Sequence, residues 1–187
     1  VREGNQAVLL VVDVQVGVVR AAWEAPRIIQ NICVAVQRAR SLGVPVIWVQ
    51  HADGDLVHGS PDWQLAPGLV PAEGELRIDK QFNSSFEQTP LEEALARLGA
   101  THIVLAGAAT NWCIRATAYA ALERGYDLTL LEDAHTTETM ELEGGFRIEA
   151  EAVIRELNVA MTWLGYPGRK NGTAAAAEVD FTVPGGV

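Results

Sequence analysis

Apolar residues along this chain come in two rhythms. Four short runs are nearly continuous: AVLLVVDV over residues 7–14, VPVIWVQ over 44–50, HIVLAGA over 102–108 and DLTLLED over 127–133. Aliphatic and β-branched stretches of that length are what strands buried on both faces require. Between them, apolar side chains recur at three- and four-residue spacing. That spacing predicts helices over 24–42, ending at Gly43, over 90–98, with Thr89 as N-cap, and over 114–124, ending at Gly125. GFRIEAEAVIRELNVAMTWLG (145–165) reads as a last long helix, ELRIDK (75–80) as a weaker strand, and residues 173–176 as a short edge strand. Strand and helix in alternation call for parallel pairing with helices on both faces, so the expected fold class is α/β, a three-layer α/β/α doubly wound sheet. With no internal repeat, low-complexity block or linker, residues 1–187 are expected to form one domain.

The stretch HADGDLVHGSPDWQLAPGLVPAEG (51–74) interrupts the alternation. It is too long for an idle connection, and loops of this kind at the C-terminal edge of a sheet commonly wall a binding site. Composition narrows the partners. Fourteen Lys and Arg against 24 Asp and Glu give a net charge of -10, which repels a phosphate backbone or an anionic membrane surface. No window approaches the roughly 20 apolar residues of a spanning helix. The first residues, VREGNQ, lack the basic-then-apolar start of a signal peptide. The expectation is a cytoplasmic protein acting on a small molecule, with neither nucleic acid nor membrane as partner. Cys33 and Cys113 are the two cysteines, with no C-x-x-C pair, and both are expected to be free thiols.

Cys113 carries the sharpest question. It follows the apolar run ending HIVLAGA and opens an Ala-rich helix, where unpaired N–H groups and the positive end of the helix dipole lower a thiol pKa. The same N–H groups can receive the oxyanion formed when a thiolate attacks a carbonyl. Cys33, inside a helix with Ile29, Val36 and Gln37 as neighbours, reads as core. Several cysteine and nucleotide motifs are excluded. A C-x5-R loop would need Arg where Tyr119 stands. A nucleophile elbow would need Gly at Asn111 and Arg115. The segment DVQVGVV has only Gly17 of a G-x-G-x-x-G fingerprint. A base and a stabilising charge belong at the C-terminal ends of other strands. Asp13 ends LLVVDVQ, and Lys80 ends RIDKQF. A carboxylate buried at a strand end costs free energy, so Asp13→Asn is expected to be neutral or mildly stabilising while removing the base.

The ordered set LLVVDVQ, DKQFNSSFEQTPLEEAL and HIVLAGAATNWCIRATAYAALERGYDLTLLEDAHTT resembles the isochorismatase-like cysteine hydrolase superfamily over residues 7 to about 160. The resemblance implies a catalytic triad of Asp13, Lys80 and Cys113 on a six-stranded parallel sheet of order 3-2-1-4-5-6. It also implies a non-proline cis peptide at Ala109-Thr110 that aims the backbone N–H groups of Ala109 or Thr110 and of Cys113 at one oxyanion. Members that keep the cysteine resemble amidases, among them nicotinamidases, N-carbamoylsarcosine amidases, ureidoacrylate hydrolases and streptothricin hydrolases. Those named for isochorismate lack it and cleave a vinyl ether. Cys113 therefore implies hydrolysis of a C–N bond in a small amide, ureido or lactam substrate through a thioester. The alternatives are vinyl-ether hydrolysis and a binding scaffold without turnover.

The tail PGRKNGTAAAAEVDF resembles the streptothricin-hydrolase-like branch, which implies a lactam or cyclic amide. His51, Asp53 and His58 occur in the wrong order for the nicotinamidase metal site, so neither metal nor other cofactor is expected. Val16 stands where the family often has Asn. Gln15, Trp63, Phe82 and Trp112 are the expected substrate contacts, Trp23 a weaker one, and His135 a hydrogen-bonded loop residue. Family members are typically homo-oligomers. The apolar C-terminal segment, with Met161, Trp163, Leu164, Tyr166, the AAAA run and Phe181, is expected to lie in the contact.

Overall fold

A computed structural model describes residues 2–182; residue 1 and residues 183–187 of the expected domain lie outside the described residues. In chain order the main elements are β1 (Gln6–Val12), α1 (Ala25–Ser41), β2 (Val46–His51), β3 (Leu76–Lys80), α2 (Leu91–Arg97), β4 (Ala100–Ala108), α3 (Arg115–Glu123), β5 (Asp127–Thr136), α4 (Ala150–Trp163) and β6 (Asn171–Ala174). The six strands form one sheet in the order β3-β2-β1-β4-β5-β6, every pairing parallel. The expected doubly wound α/β sheet and its strand order are both present.

The two sheet faces bury different sets of side chains, because successive residues of a strand point to opposite faces. Leu9 and Val11 of β1 pack with Ile28, Ile32, Ala35 and Val36 of α1. Val8, Leu10 and Val12 pack on the other face, with Leu91 and Leu95 of α2, Ala118 and Leu122 of α3, and Leu157 and Met161 of α4. Continuous apolar strands are the consequence of two covered faces. Among the described residues no helix is long and apolar enough to cross a membrane.

Local chemistry moves several boundaries. Residues 145–149, read as the start of the last helix, instead close a small hairpin that pairs Met140–Glu141 with Arg147–Ile148; Gly144 and Gly145 at its turn have positive φ. The edge strand begins two residues earlier than expected, at Asn171. Pro90, not Thr89, occupies the cap position of α2, though the Thr89 hydroxyl still accepts the N–H of Leu91 at 3.3 Å. Cys33 is half-buried rather than enclosed, with its thiol 3.6 Å from the Gly68 carbonyl. Much of the C-terminal segment is spent on the sheet itself. Ala176, Val179 and Phe181 are buried in the α1-side core, and Met161 is buried on the other. Trp163, 82% exposed, and Val159, four residues before it, form the apolar part of α4 that stays uncovered.

The sheet edge is tightest where β1 meets β4. Gly107 pairs with Val12 at φ +129°, and a Cβ there would come within 2.0 Å of the Val12 carbonyl oxygen. Only glycine fits. Gly107→Ala is therefore expected to destabilise the protein by about 3 kcal/mol or more, as strain at a special backbone position does. Urea unfolding measures this directly; a loss below about 1 kcal/mol would contradict the close approach.

Candidate active site

Three strand ends and one turn converge just beyond the β1–β4 contact. Asp13 follows β1 with a left-handed φ of 52°, its N–H bonded to the Val49 carbonyl at 2.9 Å. That conformation is uncommon for a residue other than glycine and swings the side chain away from the strand path. Lys80 is the last residue of β3 and pairs in register with His51 at the end of β2. Cys113 lies in a π-helical turn, Thr110–Ile114, between β4 and α3. Asp13 is 1% exposed, Lys80 2% and Cys113 8%.

The Lys80 ammonium sits at the centre. It lies 2.6 Å from Asp13 Oδ2, and the Phe82 carbonyl at 3.0 Å and Cys113 Sγ at 3.3 Å are within its hydrogen-bond reach. Its distance to His51 Nδ1 is 3.2 Å. Both Asp13 oxygens are buried outside hydrogen-bond geometry, Oδ2 facing the Lys80 ammonium as an ion pair and Oδ1 without a partner. A carboxylate oxygen of Asp13, a ring nitrogen of His51 and Cys113 Sγ all fall within 4.8 Å of one another. Among the described residues this is the one such cluster with the donor types and spacing to surround a metal ion, and the cation between its members is Lys80 Nζ. The expected triad residues are thus brought together. His51 joins them through Lys80, a contact the metal-site comparison gave no reason to expect.

The charge state differs from the sequence expectation. Burial, and next the negative charge of Asp13, push the Cys113 thiol up to about 12, with Lys80 pulling the other way. The sulfur is enclosed, and desolvation is the largest cause of a shift opposite to the lowering expected from the helix start. Burial also raises the Asp13 pKa, against the opposing pull of Lys80. A protonated thiol beside a carboxylate of raised basicity is an arrangement for moving one proton between them.

Supporting contacts fix each arm. Gln15 is fully buried. Its amide nitrogen donates to the carbonyls of His51 and Trp63, both at 2.9 Å, and its oxygen accepts the His51 N–H at 2.8 Å. The structure therefore places Gln15 behind the site as a clamp rather than at its surface, because its polar atoms are already engaged by main chain. Ser85 and Thr117 bond to each other at 3.0 Å, locking the segment after β3 to α3. Thr110 and His135 are within 2.9 Å, and His135 Nε2 is 2.9 Å from Asn158 Oδ1. Burial holds the His135 imidazole down at about 4, so it stays neutral; it is hydrogen-bonded as expected, but within β5 rather than in a loop, because β5 runs on to Thr136. The cis peptide joins Ala108 to Ala109, one residue before the expected position. The Ala109 carbonyl already accepts the N–H groups of Trp112 and Ile114, both at 3.1 Å, so the helical turn has begun by then.

One cleft reaches the buried group through Lys80, and a second opens beside Ala109 and Trp112. The first, of about 280 Å³, is lined by Ala52, His58, Asp79, Lys80, Gln81, Phe82 and Gln88. The other, about 340 Å³, is lined by residues that include Gly17, Arg20, Ala109, Trp112, Thr137 and Met140. Phe82 and Trp112 stand in cleft walls. Trp63 is buried and does not line the first cleft, its ring lying 4.3 Å from that of the lining residue His58. The Trp23 carbonyl accepts the Thr136 hydroxyl, and the Trp23 ring lies under Arg27. Asn83, which no sequence motif singles out, places Oδ1 3.9 Å from Cys113 Sγ.

The model of the isochorismatase domain matches residues 7–146. The chain belongs to the isochorismatase family. Within it, the chain is 36% identical over 138 residues to a streptothricin hydrolase of Streptomyces noursei, covering 69% of this chain and 54% of that one. It is 30% identical over 139 residues to the ureidoacrylate amidohydrolase RutB of Klebsiella pneumoniae, covering 57% and 59%. The chain thus spans about half the length of the first of these relatives. An isochorismatase of Pseudomonas putida KT2440 shares the fold with a TM-score of 0.81 at 27% identity, over 92% of this chain and 89% of that one.

The Asp13–Lys80 pair reverses the stability expected of Asp13→Asn. Both side chains are buried, so removing the carboxylate strands a buried ammonium and is expected to cost about 3 kcal/mol. Adding Lys80→Met should recover most of that loss. Urea unfolding of both single variants and the double variant checks it; a double variant no more stable than Asp13→Asn would refute the pairing.

Proposed function

We propose that the chain is a cysteine-dependent hydrolase that cleaves the C–N bond of a small amide, ureido or lactam substrate. One observation carries the reading: a single buried ammonium, which also lines a cleft, touches both a carboxylate with a free oxygen and a thiol. Asp13 takes the Cys113 proton as sulfur bonds to the substrate carbonyl carbon, and Lys80 offsets the negative charge as it passes from carboxylate to sulfur. Backbone N–H groups of Ala109, Thr110 and Cys113 receive the oxyanion. As the C–N bond breaks, Asp13 returns the proton to the departing nitrogen. Water then attacks the thioester, gives its proton to Asp13, and Cys113 regains it as the C–S bond opens. No cofactor takes part in any of these steps. The relatives named as a hydrolase and an amidohydrolase support the same reaction class.

The same reading includes assembly. A second copy of the chain covers the exposed face of α4 around Val159 and Trp163, which lie on one side of the helix at four-residue spacing.

Two outcomes are expected. In a panel of primary amides, ureido compounds and lactams, at least one class releases ammonia or amine, and Cys113→Ala lowers that rate by about 10³-fold or more. Intact-mass spectrometry of rapidly quenched native protein should show an acyl adduct on Cys113; turnover that survives Cys113→Ala would sink the reading. Separately, light scattering should give at least twice the chain mass for the native protein, and Trp163→Glu should lower it while leaving the circular-dichroism spectrum of the folded chain unchanged. A native monomer at micromolar concentration would refute the assembly.

A further inference from the structure

Lys80 Nζ has more acceptors around it than protons to give. Asp13 Oδ2, the Phe82 carbonyl, His51 Nδ1 and Cys113 Sγ lie at 2.6, 3.0, 3.2 and 3.3 Å, against the three N–H bonds of an ammonium. The state of His51 decides how the third proton is used. Asp53 Oδ2 faces His51 Nε2 at 2.9 Å, and Asp53 Oδ1 accepts the N–H groups of Asp55 and Leu56 at 2.9 and 2.7 Å. An ionised carboxylate can only accept, so Nε2 carries the ring proton. A proton on Nδ1 as well would point at an ammonium, so Nδ1 presents a lone pair to Lys80. The rest of His51 is equally constrained. Its main-chain N–H and carbonyl are both held by Gln15, and sheet register sets it directly beside Lys80.

We propose that His51 is a positioning residue whose neutral Nδ1 holds the Lys80 ammonium between Asp13 and Cys113, with Asp53 fixing the tautomer. The inference rests on the reading of Lys80 as the charge that stabilises the thiolate. A lysine reaches its site on a flexible four-carbon stem and has no intrinsic direction, so acceptors on several sides must define its place. The type of acceptor matters too. A second carboxylate at this position would keep the third N–H, because hydrogen bonds between charged groups are the strong ones. A neutral imidazole yields it once the sulfur becomes an anion. His51 thus orients the ammonium at rest and releases a donor to the thiolate when the proton leaves for Asp13.

The test needs no substrate, since iodoacetamide labelling of Cys113 near neutral pH reads thiolate availability, and Cys33 in the same chain serves as reference. His51→Asn puts an amide oxygen near the place of Nδ1 but cannot reach Asp53. His51→Gln reaches the level of Nε2 and Asp53 but leaves Lys80 without its acceptor. Lys80→Met should slow Cys113 labelling by about 10-fold or more, His51→Gln should follow it, and His51→Asn should recover most of the native rate, with Cys33 labelling unchanged throughout. Native labelling in His51→Gln while Lys80→Met is slow overturns the role of His51 and leaves that of Lys80 standing. Equal slowing in His51→Asn and His51→Gln overturns the acceptor role in favour of a structural one. Native labelling in Lys80→Met removes the underlying reading, and the proposal with it.

Discussion

A buried ammonium against a buried carboxylate is the constraint that organises this molecule. Taking two charges out of water costs several kcal/mol each, and their attraction offsets this only when the geometry is held and other polar atoms share the load. The sheet provides that geometry. Lys80 comes from β3 and Asp13 from β1, two strands apart, so their side chains meet only because both strands end at the same edge and Asp13 takes a left-handed turn. The Phe82 carbonyl and the His51 ring complete the shell of the ammonium. What is left over is one unpartnered carboxylate oxygen and a protonated thiol, which is where chemistry can start.

Much of this edge is legible in the sequence, for a simple reason. A polar residue that ends an otherwise apolar strand is conspicuous, and Asp13 does so; Lys80 ends a mixed strand and is marked by its place at a strand end, and Cys113 is conspicuous as a thiol at a strand-to-helix junction. The strand order follows from the resemblance, and the layers from periodicity alone. Other features depend on distant main-chain atoms and leave no local mark. Gln15 looks like a residue facing substrate until its amide is found on carbonyls 36 and 48 residues away. The thiol pKa turns on how deeply the sulfur is enclosed, which side-chain spacing does not encode, and so its direction was opposite to expectation. His51 reads as half of a failed metal motif, whereas its neighbour across the sheet is Lys80.

The C-terminal segment teaches a related lesson about apolar surface. Its hydrophobic residues are as numerous as the sequence suggests, but Ala176, Val179 and Phe181 go to the α1-side core and Met161 to the other face. The uncovered remainder narrows to the Trp163 side of α4. Counting apolar residues overestimates an interface when a tail folds back over its own sheet.

The long connection between β2 and β3 is anchored in three places. Gln15 grips it at His51 and Trp63; main-chain bonds from Val16 and Gly17 reach Gln64 and Asp62; and Glu75 is bound by Arg40 and Trp48 at the far end. Between the first two anchors, residues 57–59 are exposed, and His58 at that tip packs on Trp63 and lines a cleft. The connection is therefore modular. Beyond Leu56, whose N–H holds Asp53 beside His51, its tip can change composition without disturbing the strand ends that hold the charges. Descendants of one scaffold can in this way diverge in the molecules they accept while inheriting the same reactive centre.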